Sequence, residues 1–221
     1  IAKEKGVYFH TDAVQSFCKI PTNVEELGID MLSISAHKVY GPKGIGALYI
    51  RKGVKIEPCQ HGGNHERNLR AGTENVAGIS GLCKAVELFK DDYTEKAKKV
   101  KLLRDRLHKG LSENIEELYL NGHPDLRLPN TLNLGFNYVE GESLLLNFDM
   151  KGICVSTGSA CTSGSLEPSH VLGAMGIDTV IAQGSVRFSL GDENTQEQID
   201  YCISVIPKIV KKLRKMSPLV K

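Results

Sequence analysis

Apolar and polar positions alternate along the chain in two rhythms. Val7-Tyr8-Phe9, Met31-Leu32-Ser33-Ile34 and Gly46-Ala47-Leu48-Tyr49-Ile50 are short runs with turn or helix signals after them. The first two read as buried strands of an α/β sheet and the third as a strand with a glycine-rich approach. Asp12 and Lys38 then fall just past the carboxyl ends of strands, the edge where ligands bind in open α/β sheets. From Asn75 to Leu111 the apolar residues Val76, Ile79, Leu82, Cys83, Val86, Phe89, Val100, Leu103, Leu107 and Leu111 recur at three- and four-residue steps. That spacing predicts one long helix or two abutting ones. The charged stretch Lys90 to Lys99 is where the chain is expected to pass between domains, with the boundary at Asp92 and domains over 1–92 and 93–221. Further on, Thr131 to Phe136 alternates as a half-buried strand does, Gly141 to Met150 reads as a helix ended at Lys151-Gly152, and Ile153 to Ser156 and Ser185 to Leu190 read as strands. The closing helix opens on a Thr195-x-x-Gln198 capping box and carries Ile199, Cys202, Ile203, Ile206, Ile209, Val210 and Leu213 on one face, with Pro207 expected to kink it.

At 221 residues and 41% hydrophobic content the chain is long enough to bury a substantial core. Its 28 basic and 26 acidic residues are mixed along the sequence and sum to +2, which argues against a nucleic-acid or membrane-surface binder. No apolar stretch approaches the ~18 residues of a membrane-spanning helix. The six cysteines, at 18, 59, 83, 154, 161 and 202, form no Cys-x-x-Cys pair, so a reducing, cytoplasmic compartment is expected. The first residue is Ile1 rather than Met, and the natural start is expected to be absent.

A few residues stand out chemically. A lysine that forms a Schiff base must be partly desolvated, which a strand end supplies and a charged helix face does not. Lys38 meets that condition, whereas Lys96, Lys98, Lys99, Lys101, Lys211 and Lys212 sit among charges. Asp12 is placed either to cap the following turn or to offer its carboxylate to a ligand. Cys161 lies among serine, threonine and glycine residues from Ser156 to Ser165, a composition expected to be solvated and mobile, unlike Cys83 and Cys202 on apolar helix faces. Arg187, in a strand-like stretch, needs an anion: Asp192, Glu193 or a ligand carboxylate. Cys59, His61 and His65 have glycines between them and no second cluster, so no metal site is expected.

Four segments together carry a resemblance: His10-Thr11-Asp12-Ala13-Val14-Gln15, the run from Ser33 through His37-Lys38 to Gly46, Ser159-Ala160-Cys161-Thr162 through Leu172, and Val186-Arg187-Phe188. Over nearly the whole chain they resemble the carboxyl-terminal portion of the cysteine desulfurases of the class V aminotransferase superfamily, in the long-loop type that serves iron–sulfur cluster assembly. The resemblance implies a fold-type I pyridoxal-phosphate-dependent transferase: part of a large, mostly parallel-sheet α/β domain followed by a smaller α+β domain with the cysteine loop. It implies pyridoxal 5'-phosphate on Lys38, Asp12 at the ring nitrogen, Gln15 at the phenolic oxygen, Ser35 and His37 at the phosphate, and Thr73 reaching the phosphate of a partner subunit in a homodimer. Arg187 would bind the carboxylate of L-cysteine, and Cys161 would take its sulfur as a persulfide for an iron–sulfur scaffold protein, leaving alanine. Related alternatives are a selenocysteine lyase or another β-eliminating enzyme, or a non-catalytic scaffold-binding module. The family's glycine/threonine phosphate loop, stacking histidine and asparagine normally precede Asp12 and have no counterpart, so this chain alone is expected to lack the amino-terminal part of the active site.

Overall fold

Parallel pairing of β1 (His10–Asp12) with β2 (Met31–Ser35), and antiparallel pairing of β2 with β3 (Gly46–Ile50), form a mixed three-stranded sheet in the computed structural model, which describes residues 1–157 and 169–217. Leu32 is buried with Ala13 and Ile29, and Ile34 packs against this cluster and a second one of Ala36, Val39, Leu82 and Ala85. The alternation of a strand therefore turns Ser33 and Ser35 to the opposite face. Gly46 stands across from Ser35, and a Cβ there would come within 2.5 Å of the Ile34 carbonyl oxygen, so β3 approaches the end of β2 only as glycine.

The expected buried strand Val7-Tyr8-Phe9 is corrected by the structure: pairing begins at His10, and those three side chains are exposed. The segment is instead fastened by backbone and side-chain polar bonds, with Phe9 N–H donating to Asp30 Oδ2 and the Phe9 carbonyl accepting from Asp30 and Met31. Beyond the sheet, α1 (Val76–Phe89) is capped by Asn75, whose Oδ1 accepts from Gly78 N–H. It buries Leu82, Ala85 and Phe89 and leaves Val76, Ile79 and Cys83 exposed, so the apolar stripe is wider than the buried one and Cys83 does not lie on a covered face.

The chain divides into two compact units, Ile1–Thr94 and Glu95–Lys221. α2 (Tyr93–Asn114) leads into the second, in which β4 (Leu118–Leu120), β5 (Thr131–Phe136), β6 (Ser156–Thr157) and β7 (Ser185–Ser189) form an antiparallel sheet in the order β4-β5-β7-β6. The expected strand at Ile153–Ser156 is shorter and later than its apolar run suggests, since Ile153 enters the core before pairing starts at Ser156. Leu132, Leu134, Phe136, Val186 and Phe188 share one face and pack with Val100, Leu103, Leu107 and Leu111 of α2, with Leu144 and Phe148 of α3 (Gly141–Asp149), and with Ile199, Ile206, Ile209 and Val210 of α6 (Gln196–Met216). Each such side chain contributes about 1.5–3 kcal/mol on full burial. Two short helices, α4 (His170–Ala174) and α5 (Thr179–Gln183), precede β7.

The Thr195 and Gln198 capping box forms as the motif predicts, with Gln198 N–H donating to Thr195 Oγ1 and Thr195 N–H to Gln198 Oε1. α6 continues through Pro207 as one element, held by its buried stripe. Arg106 clamps Asp200 through Nε and Nη2 at 2.6 and 2.9 Å and ties α2 to α6. Arg104, only 1% exposed, donates Nη1 to the Leu128 carbonyl and Nε and Nη2 to Asp105 Oδ1.

Candidate active site

The polar face of the first sheet collects side chains from two adjacent strands. His10 and Asp12 on β1 and Ser33 and Ser35 on β2 point the same way, because alternate residues share a face and Asp12 is registered against Ser33. Asp12 closes β1, and its Oδ1 accepts from Val14 N–H at 2.9 Å, capping the turn that carries Gln15. Its other oxygen makes no hydrogen bond among the described residues, so capping leaves half of the carboxylate available. Gln15 is exposed three residues past the end of β1, with its carbonyl accepting from Lys19 Nζ.

At the end of β2 the chain tightens into a 3-10 turn, Ala36–Lys38, around buried Ala36. Ser35 Oγ and His37 Nδ1 lie 2.8 Å apart. Whichever group donates, the pair keeps one outward donor: the serine hydroxyl donating to Nδ1 leaves Nε2–H, and Nδ1–H donating leaves the hydroxyl proton. Lys38 is half-buried at the turn's end, less enclosed than a buried strand terminus would make it. Asp12, Ser35, His37 and Lys38 are thus drawn to one sheet edge.

His10 joins them: its Nε2 meets Ser33 Oγ at 2.9 Å on this same face, a contact that no motif in the sequence announces. The two-residue steps from 10 to 12 and from 33 to 35 are the signal that places both. Thr73 is exposed and lies three residues before α1, whose cap is Asn75, so Thr73 is not itself at a helix start. His65 Nδ1 accepts from Gly72 N–H, which braces the loop from Glu66 to Ala71 against the approach to Thr73.

In the second unit, Arg187 sits mid-strand on β7 and is half-buried, flanked by Asn133 of β5 and Ser156 of β6 in direct register. Its Nε donates to Ser189 Oγ at 3.2 Å, and its Nη groups make no hydrogen bond or ion pair with a described residue. The local partners Asp192 and Glu193 therefore do not satisfy it. Cys161 lies outside the described residues. Of the described thiols, Cys59, Cys83 and Cys154 are exposed, while burial pushes the Cys18 and Cys202 thiols above their usual range.

Residues 1–202 match the family model for aminotransferase class-V. The chain is 56% identical over 218 residues to the cysteine desulfurase IscS of Dictyoglomus turgidum (strain DSM 6724 / Z-1310), and 58% identical over 219 residues to the cysteine desulfurase IscS of Methanosarcina thermophila. Each alignment takes in 99% of this chain and 55% or 54% of the relative, so the chain spans about half the length of the relatives it matches. Among solved structures, a NifS-like protein superposes with a TM-score of 0.85 at 43% identity, over 96% of this chain and 54% of that one.

Proposed function

The chain belongs to the aminotransferase class-V family, whose members are pyridoxal-phosphate-dependent and share the fold-type I architecture, and on that premise we propose that it is the part of a cysteine desulfurase that carries the Schiff-base lysine and the sulfur-accepting cysteine. One observation carries the reading: Ser35 at the end of β2 and His37 and Lys38 in the 3-10 turn that follows are gathered on the edge where Asp12 of β1 keeps one carboxylate oxygen without a hydrogen bond among the described residues. That donor set fits pyridoxal phosphate, with a half-buried amine for the aldehyde, a hydroxyl–imidazole pair with a spare donor for the phosphate, and a carboxylate for the ring nitrogen.

When bound, pyridoxal phosphate supplies an electron sink for the substrate's carbon atoms. Asp12 would hold the ring nitrogen's proton, Gln15 would bond the phenolic oxygen, and Ser35 and His37 would anchor the phosphate, with Thr73 contributing to the phosphate of a partner subunit in a homodimer. Lys38 would hold the cofactor and move protons at the substrate's α-carbon. Arg187, whose Nη groups have no partner among the described residues, would orient the substrate's carboxylate. The Cys161 thiolate would attack the sulfur of L-cysteine; the Cβ–S bond breaks, its electron pair stays with carbon, and a proton taken up there completes alanine. The persulfide left on Cys161 would pass its outer sulfur to an iron–sulfur scaffold protein. Among the described residues no helix is long and apolar enough to cross a membrane. A cytoplasmic setting is part of the proposal on the cysteine pattern of the sequence.

Borohydride reduction of the full-length protein followed by peptide mapping should place a pyridoxyl group on Lys38. Incubation of the same protein with L-cysteine should yield alanine together with a persulfide on Cys161. A Cys161→Ser variant that still delivers sulfur to a scaffold protein at the wild-type rate would replace this reading with that of an eliminating lyase.

A further inference from the structure

The polar face of the second sheet holds an asparagine whose orientation is set by a buried relay. Ser185, 1% exposed, donates its hydroxyl to the Ile181 carbonyl at 2.8 Å and accepts from Asn121 Nδ2 at 2.9 Å. Asn121, 8% exposed, gives the same Nδ2 group to Asn133 Oδ1 at 2.8 Å. Asn121 Oδ1 is buried without a partner among the described residues, so the relay forms with that acceptor unanswered by them. Its effect falls on Asn133. With Oδ1 committed to Asn121, the only polar group Asn133 has left to offer is Nδ2, and that group makes no hydrogen bond with a described residue.

Asn133 is the register partner of Arg187 across β5 and β7. Directly opposed side chains on antiparallel strands share a face with Cβ atoms roughly 4.5–5.5 Å apart. Two unused donors, the amide of Asn133 and the Nη groups of Arg187, therefore stand side by side on one rigid sheet. No carboxylate among the described residues answers them. An amide N–H beside a guanidinium matches the two oxygens of a single carboxylate, and placement on paired strands fixes their separation better than loops would.

We propose that Asn133 is a second ligand for the carboxylate of the amino-acid substrate, held in its donating orientation by Asn121 and Ser185. This rests on the reading of Arg187 as the first such ligand. Asn133 sets specificity by requiring an α-carboxylate, and Asn121 acts as a positioning residue through it.

The test is equilibrium binding to the full-length, cofactor-loaded enzyme, by calorimetry, of L-alanine and of ethylamine, which is alanine without its carboxylate. Asn133→Ala should weaken L-alanine about tenfold, the loss of one hydrogen bond to a charged group, and leave ethylamine unchanged. Asn133→Asp keeps the acceptor that Asn121 needs, so it guards against simple misfolding; it should abolish the preference for L-alanine over ethylamine. Asn121→Ala should produce a smaller weakening of L-alanine alone, restored by Asn121→Gln. Unchanged L-alanine affinity in Asn133→Ala, or equal weakening of both ligands, overturns the proposal. If Arg187→Lys also leaves L-alanine binding unchanged, the carboxylate reading of Arg187 fails with it; if Arg187→Lys weakens binding and Asn133→Ala does not, only the role of Asn133 fails.

Discussion

Burial and hydrogen bonding pull the titration of individual side chains of this protein in opposite directions. Cys18 and Cys202 are partly enclosed, and desolvation raises both thiols, for Cys18 against a weaker pull from Lys19. Since the thiolate is the reacting species, both should lag in alkylation behind exposed Cys59, Cys83 and Cys154. A mass-spectrometric time course with iodoacetamide at pH 7.5 checks this, and Cys202 reacting as fast as Cys83 would contradict it. Asp105 presents the opposite case: burial opposes its ionisation, but hydrogen bonds from Lys101 and Arg104 outweigh it and hold the carboxyl below its usual range. A carboxyl lowered in the folded state stabilises it above the unfolded value, ~3.9, and loses that contribution as pH falls through the folded value. Asp105→Asn should therefore cost about 1–2 kcal/mol at pH 7, a figure discounted for the carboxylate's partial exposure, because it strips buried Arg104 of its anion. Urea denaturation should show the gap from wild type closing below about pH 4. The neighbourhood of Ser35, His37 and Lys38 is legible in sequence because four consecutive residues at a strand end build it. The pairing of Asn133 with Arg187 is not, since it depends on the register of strands more than fifty residues apart, which no local pattern encodes.

Elements whose pattern or caps reinforce their apolar residues are the most readable, while a short apolar run alone succeeds at Met31–Ser35 and fails at Val7-Tyr8-Phe9. Thr131–Phe136 alternates, and its buried positions Leu132, Leu134 and Phe136 follow that alternation. α6 combines a capping box with a stripe of apolar residues. Val7-Tyr8-Phe9 offered only apolar composition, which marks a preference for burial without saying what covers it, and the structure leaves these residues exposed. The charged run after α1 marks where the two helices part, at Lys90–Asp92, while charge and length alone leave one long helix and two abutting ones equally open. Where capping does the work, its loss is measurable: Thr195→Ala removes the acceptor for Gln198 N–H at the start of a helix that joins the main core. It should lower stability by about 1 kcal/mol, and Thr195→Asp, which restores an acceptor, should recover most of that loss in chemical denaturation.

The two units differ in how their cores are built, and that difference predicts how each behaves alone. In residues 95–217 a single apolar cluster runs from Val100 to Val210, joining α2, α3, α6 and the inner face of a four-stranded sheet. Such a continuous core meets the usual requirement for cooperative unfolding of a small domain. In residues 1–94 most of the buried apolar residues fall into two small clusters, one of Ala36, Val39, Leu82 and Ala85 and the other of Ala13, Ile29 and Leu32, with Ala71 and Phe89 buried outside both. Several of these are alanines, which contribute little area, while Val7, Tyr8, Phe9, Leu48, Val76 and Leu88 remain exposed. With three short strands and small clusters, this unit has less buried apolar area than the second to set against its conformational entropy. Expressed separately, 95–221 should melt in one sharp transition with a calorimetric enthalpy near the van't Hoff value. The 1–94 segment should show a broad, low-enthalpy change and bind a hydrophobic dye. A sharp two-state melt of 1–94 would mean that its two small clusters cooperate far more strongly than their buried area allows.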